Sequence, residues 1–330
     1  MADPLVVVTY PLNSEMEAAN REVLGDVAEI VFSSRLEEEE RDEVLGRADA
    51  LLSWNLPREL KTGALGRARA LRFLQTISAG IDHVDFTQIP DRVIVASNVG
   101  AYAEPMAEHV MAMALACAKR LRQRHNALAR GDFDQRSLSL SLDGAVCLIV
   151  GFGGIGKATA RLMRPFGAQI WALNTSGRTE EPVSFSGTLS DLGRVLGAAD
   201  VIVLALPLTV ATRGLITERE FGLMKPAAIL VNVARGEVID ERALYEHLQR
   251  NPEFSAGIDT WWSEPMHEGE FRTEYPFLEI PNLIGSPHNS PLVAGVLPRA
   301  VRRAAENVGR FLRGEPLTGV VRREDYVRAG

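Results

Sequence analysis

Three side chains in this sequence could together move a proton and hold a negative charge: Arg235, Glu264 and His288. Arg235 is charged at any working pH and can grip a carboxylate or polarise a carbonyl. His288 titrates near neutrality and can pass a proton. A neighbouring Glu264 carboxylate would favour the imidazolium, raise the histidine pKa and orient the ring. Each residue lies at or just past a short apolar run that reads as a strand, spanning 227–233, 255–258 and 283–285 respectively. In an open parallel sheet, ligands sit outside the carboxyl ends of the strands, and that is where all three fall. Singly, each has a plainer explanation. Arg235 could pair with Glu237, Glu264 could cap a turn, and His288 could be a satisfied loop histidine. Their joint placement is what points to chemistry.

A second constellation supplies a partner for that chemistry. The apolar run 145–150 is long enough for a buried parallel strand and too short for a helix. It leads directly into Gly151, Gly153 and Gly156, with Gly154 and Ile155 between them, in the G-x-G-x-x-G spacing. A helix is expected over 157–166, with Ile155, Leu162 and Phe166 on its apolar face. Gly151 permits the tight turn, Gly153 lets backbone approach a pyrophosphate, and Gly156 lets the helix pack on the strand. The helix N-terminus offers N–H groups and positive potential to the phosphates. The next strand is expected over 169–173. An acidic residue at its end would hold the ribose hydroxyls of NAD. This chain has Asn174, Thr175, Ser176, Gly177 and Arg178 there. A carboxylate would repel a 2′-phosphate, whereas these residues can donate to it and Arg178 can pair with it. NADP is therefore expected over NAD, with NAD also possible.

The elements that must position these residues follow from the rest of the chain. At 330 residues the default is two domains. Hydrophobic content of 46% and charged content of 24% are those of a globular protein. A net charge of −7 argues against a nucleic-acid footprint, and the basic stretch 119–124 reads as a solvated helix face. Cys117 and Cys147 lie in apolar runs and read as small buried hydrophobes, not a disulfide or a metal pair. The first residues show no basic stretch and no apolar run of signal length, no run is long enough to span a bilayer, and a cytoplasmic location without a signal segment is expected.

Strands are expected at 5–10, 28–32, 50–54, 71–77 and 93–97, alternating with helices at 15–24, 36–45 and 58–65; this alternation implies a parallel α/β sheet. Residues 104–130 read as one long helix, with Met106, Val110, Met113 and Cys117 on an apolar stripe. Beyond the glycine loop, helices are expected at 189–196 and 243–248, and a strand at 201–206. Ala79 and Gly80 follow a strand end, so their amides could hold an anion; a plain glycine turn explains them equally well.

Taken together, the motifs Gly151–Gly156, Leu206–Thr209 with Thr212 and Gly214, Val231–Gly236, Asp259 with Glu264–Pro265, Pro287–His288 and Ser78–Asp82 resemble the D-isomer-specific 2-hydroxyacid dehydrogenase family. The resemblance covers nearly the whole chain. It implies two Rossmann-like, doubly wound α/β domains with a cleft between them. One is a discontinuous, flavodoxin-like substrate domain (1–100 and 291–330), and the other an inserted NAD(P)-binding domain (101–290). It implies that Arg235 binds and polarises a 2-keto acid, that His288 is the general acid/base and that Glu264 tunes it. Ala79 and Gly80 would grip the substrate carboxylate, and Trp54 would wall the pocket, although a core tryptophan also explains it. Leu206, Pro207, Thr212, Val233, Ala234, Asp259 and His288 would line the dinucleotide, Asp259 at the nicotinamide carboxamide. A homodimer is implied, with a glyoxylate or hydroxypyruvate reductase-like activity and no metal. Phosphite dehydrogenases and dinucleotide-sensing corepressors resemble the same chassis and stand as alternatives. The sequence departs from the family pattern at Asn174 and at Asn289-Ser290-Pro291, where many members carry a small residue and glycine after the histidine.

Overall fold

A strand covered on both faces must be apolar throughout, and the runs LVVV at Leu5–Val8, VCLIV at Val146–Val150 and VIVL at Val201–Leu204 meet that requirement. The computed structural model describes residues 3–265 and 269–327 and builds two parallel sheets from such runs. The chain forms two compact units, Met1–Tyr102 with Leu292–Gly330, and Ala103–Pro291.

In the first unit, β1 (Leu5–Val8), α1 (Ser14–Leu24), β2 (Glu29–Phe32), α2 (Glu38–Arg47) and β3 (Ala50–Ser53) follow in order. The one-turn helices α3 (Leu56–Glu59) and α4 (Ala64–Arg67), then β4 (Phe73–Thr76) and β5 (Ile94–Ala96), complete this stretch. The sheet order is β2-β1-β3-β4-β5, every pair parallel, which is the flavodoxin-like order with its switch point between β1 and β3. Alternate residues serve opposite faces: Leu5, Val7, Leu51 and Leu74 join one core, and Val6, Val8, Leu52 and Phe73 the other.

The second unit runs α5 (Ala103–Ala118), α6 (Leu121–Ala129), β6 (Val146–Val150), α7 (Gly154–Met163), β7 (Gln169–Leu173) and β8 (Phe185–Gly187). It continues through α8 (Leu192–Val195), β9 (Val201–Leu204), α9 (Glu218–Leu223), β10 (Ile229–Asn232), α10 (Glu241–Arg250), β11 (Ser255–Ile258) and β12 (Leu283–Gly285). Its parallel sheet has the order β12-β11-β10-β9-β6-β7-β8. The order reverses between β6 and β9, which puts the glycine loop at the switch point. Asn232, Ile258 and Gly285 are in register, so β10, β11 and β12 end level with one another. The chain then returns to the first unit as α11 (Val296–Arg313), burying Ala300, Val301, Ala304, Ala305 and Val308 in the same core as Val6 and Val8.

The two doubly wound sheets are those expected, but several local readings are corrected. Residues 104–130 are not one helix: α5 ends at Ala118, and Arg120 takes a left-handed φ of 51° before α6 begins. The end is fixed from outside, because the Leu140 amide takes the Ala118 carbonyl and the Lys119 ammonium takes the Leu140 carbonyl. The stretch 119–124 is not simply a solvated face either. Arg120 pairs with Glu253, and Arg122 donates to the carbonyls of Leu278, Ile280 and Leu283. Leu162 in α7 and Phe166 just beyond it face solvent; the buried side is Gly156, Ala158, Thr159, Ala160 and Met163, with the small Ala158 packed against Ala103 and Ala107 of α5. The segment expected as a helix at 58–65 breaks into short turns at Gly63, with its φ of 80°, whereas 189–196 is helical throughout, with 3-10 turns on either side of α8. β8 and α11 are additions to the expected elements. No helix among the described residues is long and apolar enough to cross a membrane.

Candidate active site

The glycine loop is built as its spacing requires. Gly151 has a φ of 97°, and a Cβ there would lie 2.4 Å from the Ala205 carbonyl oxygen. A Cβ on Gly156 would lie 2.3 Å from the Gly151 oxygen, so both positions admit only glycine. Gly153 differs, since a Cβ there would meet no atom within 4 Å. That open surface, with the first-turn amides of α7 at Gly154, Ile155 and Gly156, fits a dinucleotide pyrophosphate. The loop is braced from β7, whose Leu173 carbonyl accepts from the amides of Gly151 and Phe152.

At the end of β7, Asn174 organises the following turn. Its Oδ1 accepts from the Ser176 and Gly177 amides at 3.1 and 2.7 Å, and its Nδ2 donates to the Arg178 carbonyl at 2.8 Å. The Ser176 hydroxyl is also held inside the turn, close to Asn174 and Arg178. Asn174 and Ser176 therefore shape this loop and are not the free donors expected of them. Thr175 and Arg178 are exposed, and among the described residues Arg178 forms no ion pair.

Thr212 is likewise committed. It is buried, donates to the Pro207 carbonyl at 2.7 Å and accepts from the Thr209 amide at 2.8 Å, closing the turn that follows Leu206. Val233 and Ala234 are buried between β10 and Arg235.

The three level strand ends carry Arg235, Glu264 and His288. Asn232, fully buried at the end of β10, accepts from the Ala234 amide and donates to the Arg235 carbonyl, fixing the turn that presents Arg235. Gly236 then passes so close to the next loop that a Cβ would lie 2.3 Å from the Trp261 carbonyl carbon. Trp261 ties the other two loops together: its amide donates to Glu264 Oε1 at 2.7 Å and its indole N–H donates to the Ser286 carbonyl at 2.8 Å. Glu264 Oε2 lies 2.6 Å from His288 Nδ1. A carboxylate only accepts, so Nδ1 carries the proton and Nε2 is left as the proton-exchanging atom. Burial alone would raise the Glu264 carboxyl. The hydrogen bond and charge of His288, the Trp261 amide and the Arg235 charge outweigh it and hold the group below its usual range. Arg235 is half-buried, and its Nη1 donates to the Ala234 carbonyl at 2.7 Å.

His288 has a φ of 50°, a left-handed conformation uncommon outside glycine. Asp259 imposes it. Its carbonyl accepts the His288 amide at 2.8 Å, and its wholly buried carboxylate accepts from the Asn289 and Ser290 amides and from the Ser286 hydroxyl. At the Asn289-Ser290 departure it is the backbone amides that bond Asp259, a contact that does not depend on these side chains. This internal load on Asp259 was not part of the expectation for it. Asn232, Ser286 and Trp261 were given no role by sequence reasoning; each acts through contacts between distant segments.

In the first unit, Ala79 and Gly80 follow β4, and among the described residues their amides donate to no protein acceptor. Trp54 is partly buried against the core of Val8 and Phe73. Its amide, the Asn55 amide and the hydroxyls of Thr9 and Ser53 all donate to the Glu59 carboxylate, which clamps the ends of β1 and β3. No group of three or more potential metal ligands occurs among the described residues.

Comparison with known proteins assigns the architecture. The profile described as D-isomer specific 2-hydroxyacid dehydrogenase, NAD binding domain, matches residues 111–290. The chain belongs to this family. Among dehydrogenase relatives, a D-3-phosphoglycerate dehydrogenase from Methanocaldococcus jannaschii is 30% identical over 319 residues, covering 96% of this chain and 59% of that protein. The chain thus spans about three-fifths of that relative's length. A glyoxylate reductase from Thermococcus gammatolerans is 31% identical over 263 residues, covering 77% of each. The solved structure of the D-lactate dehydrogenase from Aquifex aeolicus, in complex with NAD and lactic acid, superposes with a TM-score of 0.72 at 27% identity, covering 94% of this chain and 96% of that one.

Proposed function

We propose that the chain is an oxidoreductase that interconverts a small 2-keto acid and its D-2-hydroxy acid, with glyoxylate or hydroxypyruvate as substrate and NADP(H) as the preferred dinucleotide. The observation that carries this reading is the 2.6 Å contact of Glu264 with His288 Nδ1, which leaves Nε2 to exchange a proton, on strands level with the one that presents Arg235. Arg235 grips the acid through its carboxylate and polarises the keto oxygen. When bound, the nicotinamide supplies the hydride equivalent. His288 Nε2 gives its proton to the alkoxide oxygen that develops at C2, and Glu264 stabilises the charged ring before that transfer. In the first unit, the Ala79 and Gly80 amides suit an anion such as a carboxylate.

The preferred dinucleotide follows from charge. Position 174 carries no carboxylate to repel a 2′-phosphate, and the exposed Arg178 is available to pair with one. Purified protein is expected to oxidise NADPH with glyoxylate or hydroxypyruvate faster than NADH, with pyruvate as the comparison substrate. Preference for NADH would retain the reaction class and remove the cofactor argument. The variant Arg178→Ala is expected to lose NADPH affinity at least about ten-fold, as one charge-assisted contact is removed, while its NADH affinity holds. Equal losses for both would take Arg178 out of the 2′-phosphate site.

A homodimer completes the reading. Helix α6 buries none of its residues, and Leu121, Leu128, Phe133 and Leu138 form an exposed apolar set on it and the loop that follows. A solution mass of about twice 36.1 kDa is the expected result.

A further inference from the structure

We propose that His109, on α5, is a positioning residue for proton transfer, acting on His288 through Ser286 and Asp259; this rests on the reading of His288 as the acid/base. Residue 109 comes 177 positions before Ser286, yet His109 Nε2 lies 2.9 Å from Ser286 Oγ. Ser286 Oγ lies 2.5 Å from Asp259 Oδ1. The direction of this chain is fixed by its end: the carboxylate only accepts, so the Ser286 hydroxyl hydrogen points to Asp259 and its oxygen must accept from His109 Nε2–H. His109 Nε2 is itself 3.7 Å from Asp259 Oδ1.

Asp259 has no exposed surface, and the amides of Asn289 and Ser290 converge on its two oxygens. Its main-chain carbonyl takes the His288 amide. These contacts hold His288 at a φ of 50°, a conformation that persists only while its surroundings over-determine it. The carboxylate's direction decides where the Asn289 and Ser290 amides lie, and these, with the carbonyl that takes the His288 amide, decide where the imidazole lies. His109, by donating to the Ser286 oxygen, favours the side-chain rotamer whose hydroxyl points at Oδ1. Removing it takes one of two hydrogen bonds from a partly buried hydroxyl and loosens the rotamer that holds Ser286 to Asp259.

The test compares His109→Leu, which removes the donor, with His109→Gln, whose Nε2 can reach the same point. Hydrogen exchange of segment 286–290 in the free protein reads the loop without turnover. Exchange at least about five-fold faster in His109→Leu, restored in His109→Gln, is expected. With glyoxylate or hydroxypyruvate, kcat should fall between about ten- and a hundred-fold in His109→Leu at nearly constant KM, with a larger solvent deuterium isotope effect, and recover in His109→Gln. Unchanged exchange in His109→Leu overturns the proposal whatever the rates. So does unchanged kcat where His288→Ala abolishes turnover. If instead the parent protein turns over no keto acid, or His288→Ala is harmless, the acid/base reading fails and with it the proton-transfer role; the exchange result then still decides whether His109 holds the loop.

Discussion

Replacing His288 with alanine is expected to lower kcat for keto-acid reduction by at least about a hundred-fold, the usual share of a positioned acid/base, while dinucleotide binding measured by titration stays in place. Turnover within a few-fold of the parent would remove the proton-transfer role. Glu264→Gln separates charge from position. The amide oxygen can still meet His288 Nδ1, but the charge that balances an imidazolium is gone, so a smaller loss of kcat is expected. The pair also links to stability. The folded Glu264 carboxyl lies below its usual value despite burial, because His288, the Trp261 amide and Arg235 hold it ionised. A depressed carboxyl stabilises the fold above its unfolded pKa of about 4.3 and loses that contribution as pH falls through the lower folded value. The Tm gap between the parent and Glu264→Gln is therefore expected to be widest near neutral pH and to close below about pH 4. A gap that widens on acidification would contradict the ionised pair.

The two sheets were legible because parallel strands buried on both faces read as uninterrupted apolar runs, as at Val146–Val150 and Ile229–Asn232. The glycine spacing was legible because it reports local backbone geometry, seen in Gly151 and Gly156. What was not legible depends on contacts between remote segments. Nothing near Lys119 signals the end of α5, since the Leu140 amide supplies it. The inner face of α7 was misread because close packing on α5 selects alanines over Leu162 and Phe166. Asn174 was assigned to a ligand by its donor and Thr212 by the family resemblance, but in the structure the donors serve their own turns. His109 was given no role in the helix it lies on; its partner Ser286 lies 177 residues away. The β8 strand, Phe185–Gly187, is three residues with no apolar run, whereas α11 does carry apolar positions at helical spacing, set among arginines.

Arg235→Lys is expected to lower kcat/KM by about 10² to 10³, the range for losing one donor to a developing oxyanion. Lysine keeps the positive charge but presents one compact ammonium in place of a planar fork, so it cannot grip a carboxylate and a carbonyl oxygen in fixed relation. Charge alone is thus predicted to be insufficient, and a lysine variant with near-parental kcat/KM would show that it suffices. The position of the guanidinium matters as much as its identity. Asn232 fixes the turn before Arg235 on both sides, and Gly236 brings the backbone after it against Trp261 with no room for a Cβ. Gly236→Ala changes no charge and no hydrogen-bonding group. It must nevertheless push the Arg235 turn away from the loop whose Trp261 amide holds Glu264. It is expected to match Arg235→Lys in lost kcat/KM and, unlike that variant, to lower Tm as well. The contrast separates the guanidinium's chemistry from the backbone packing that aims it.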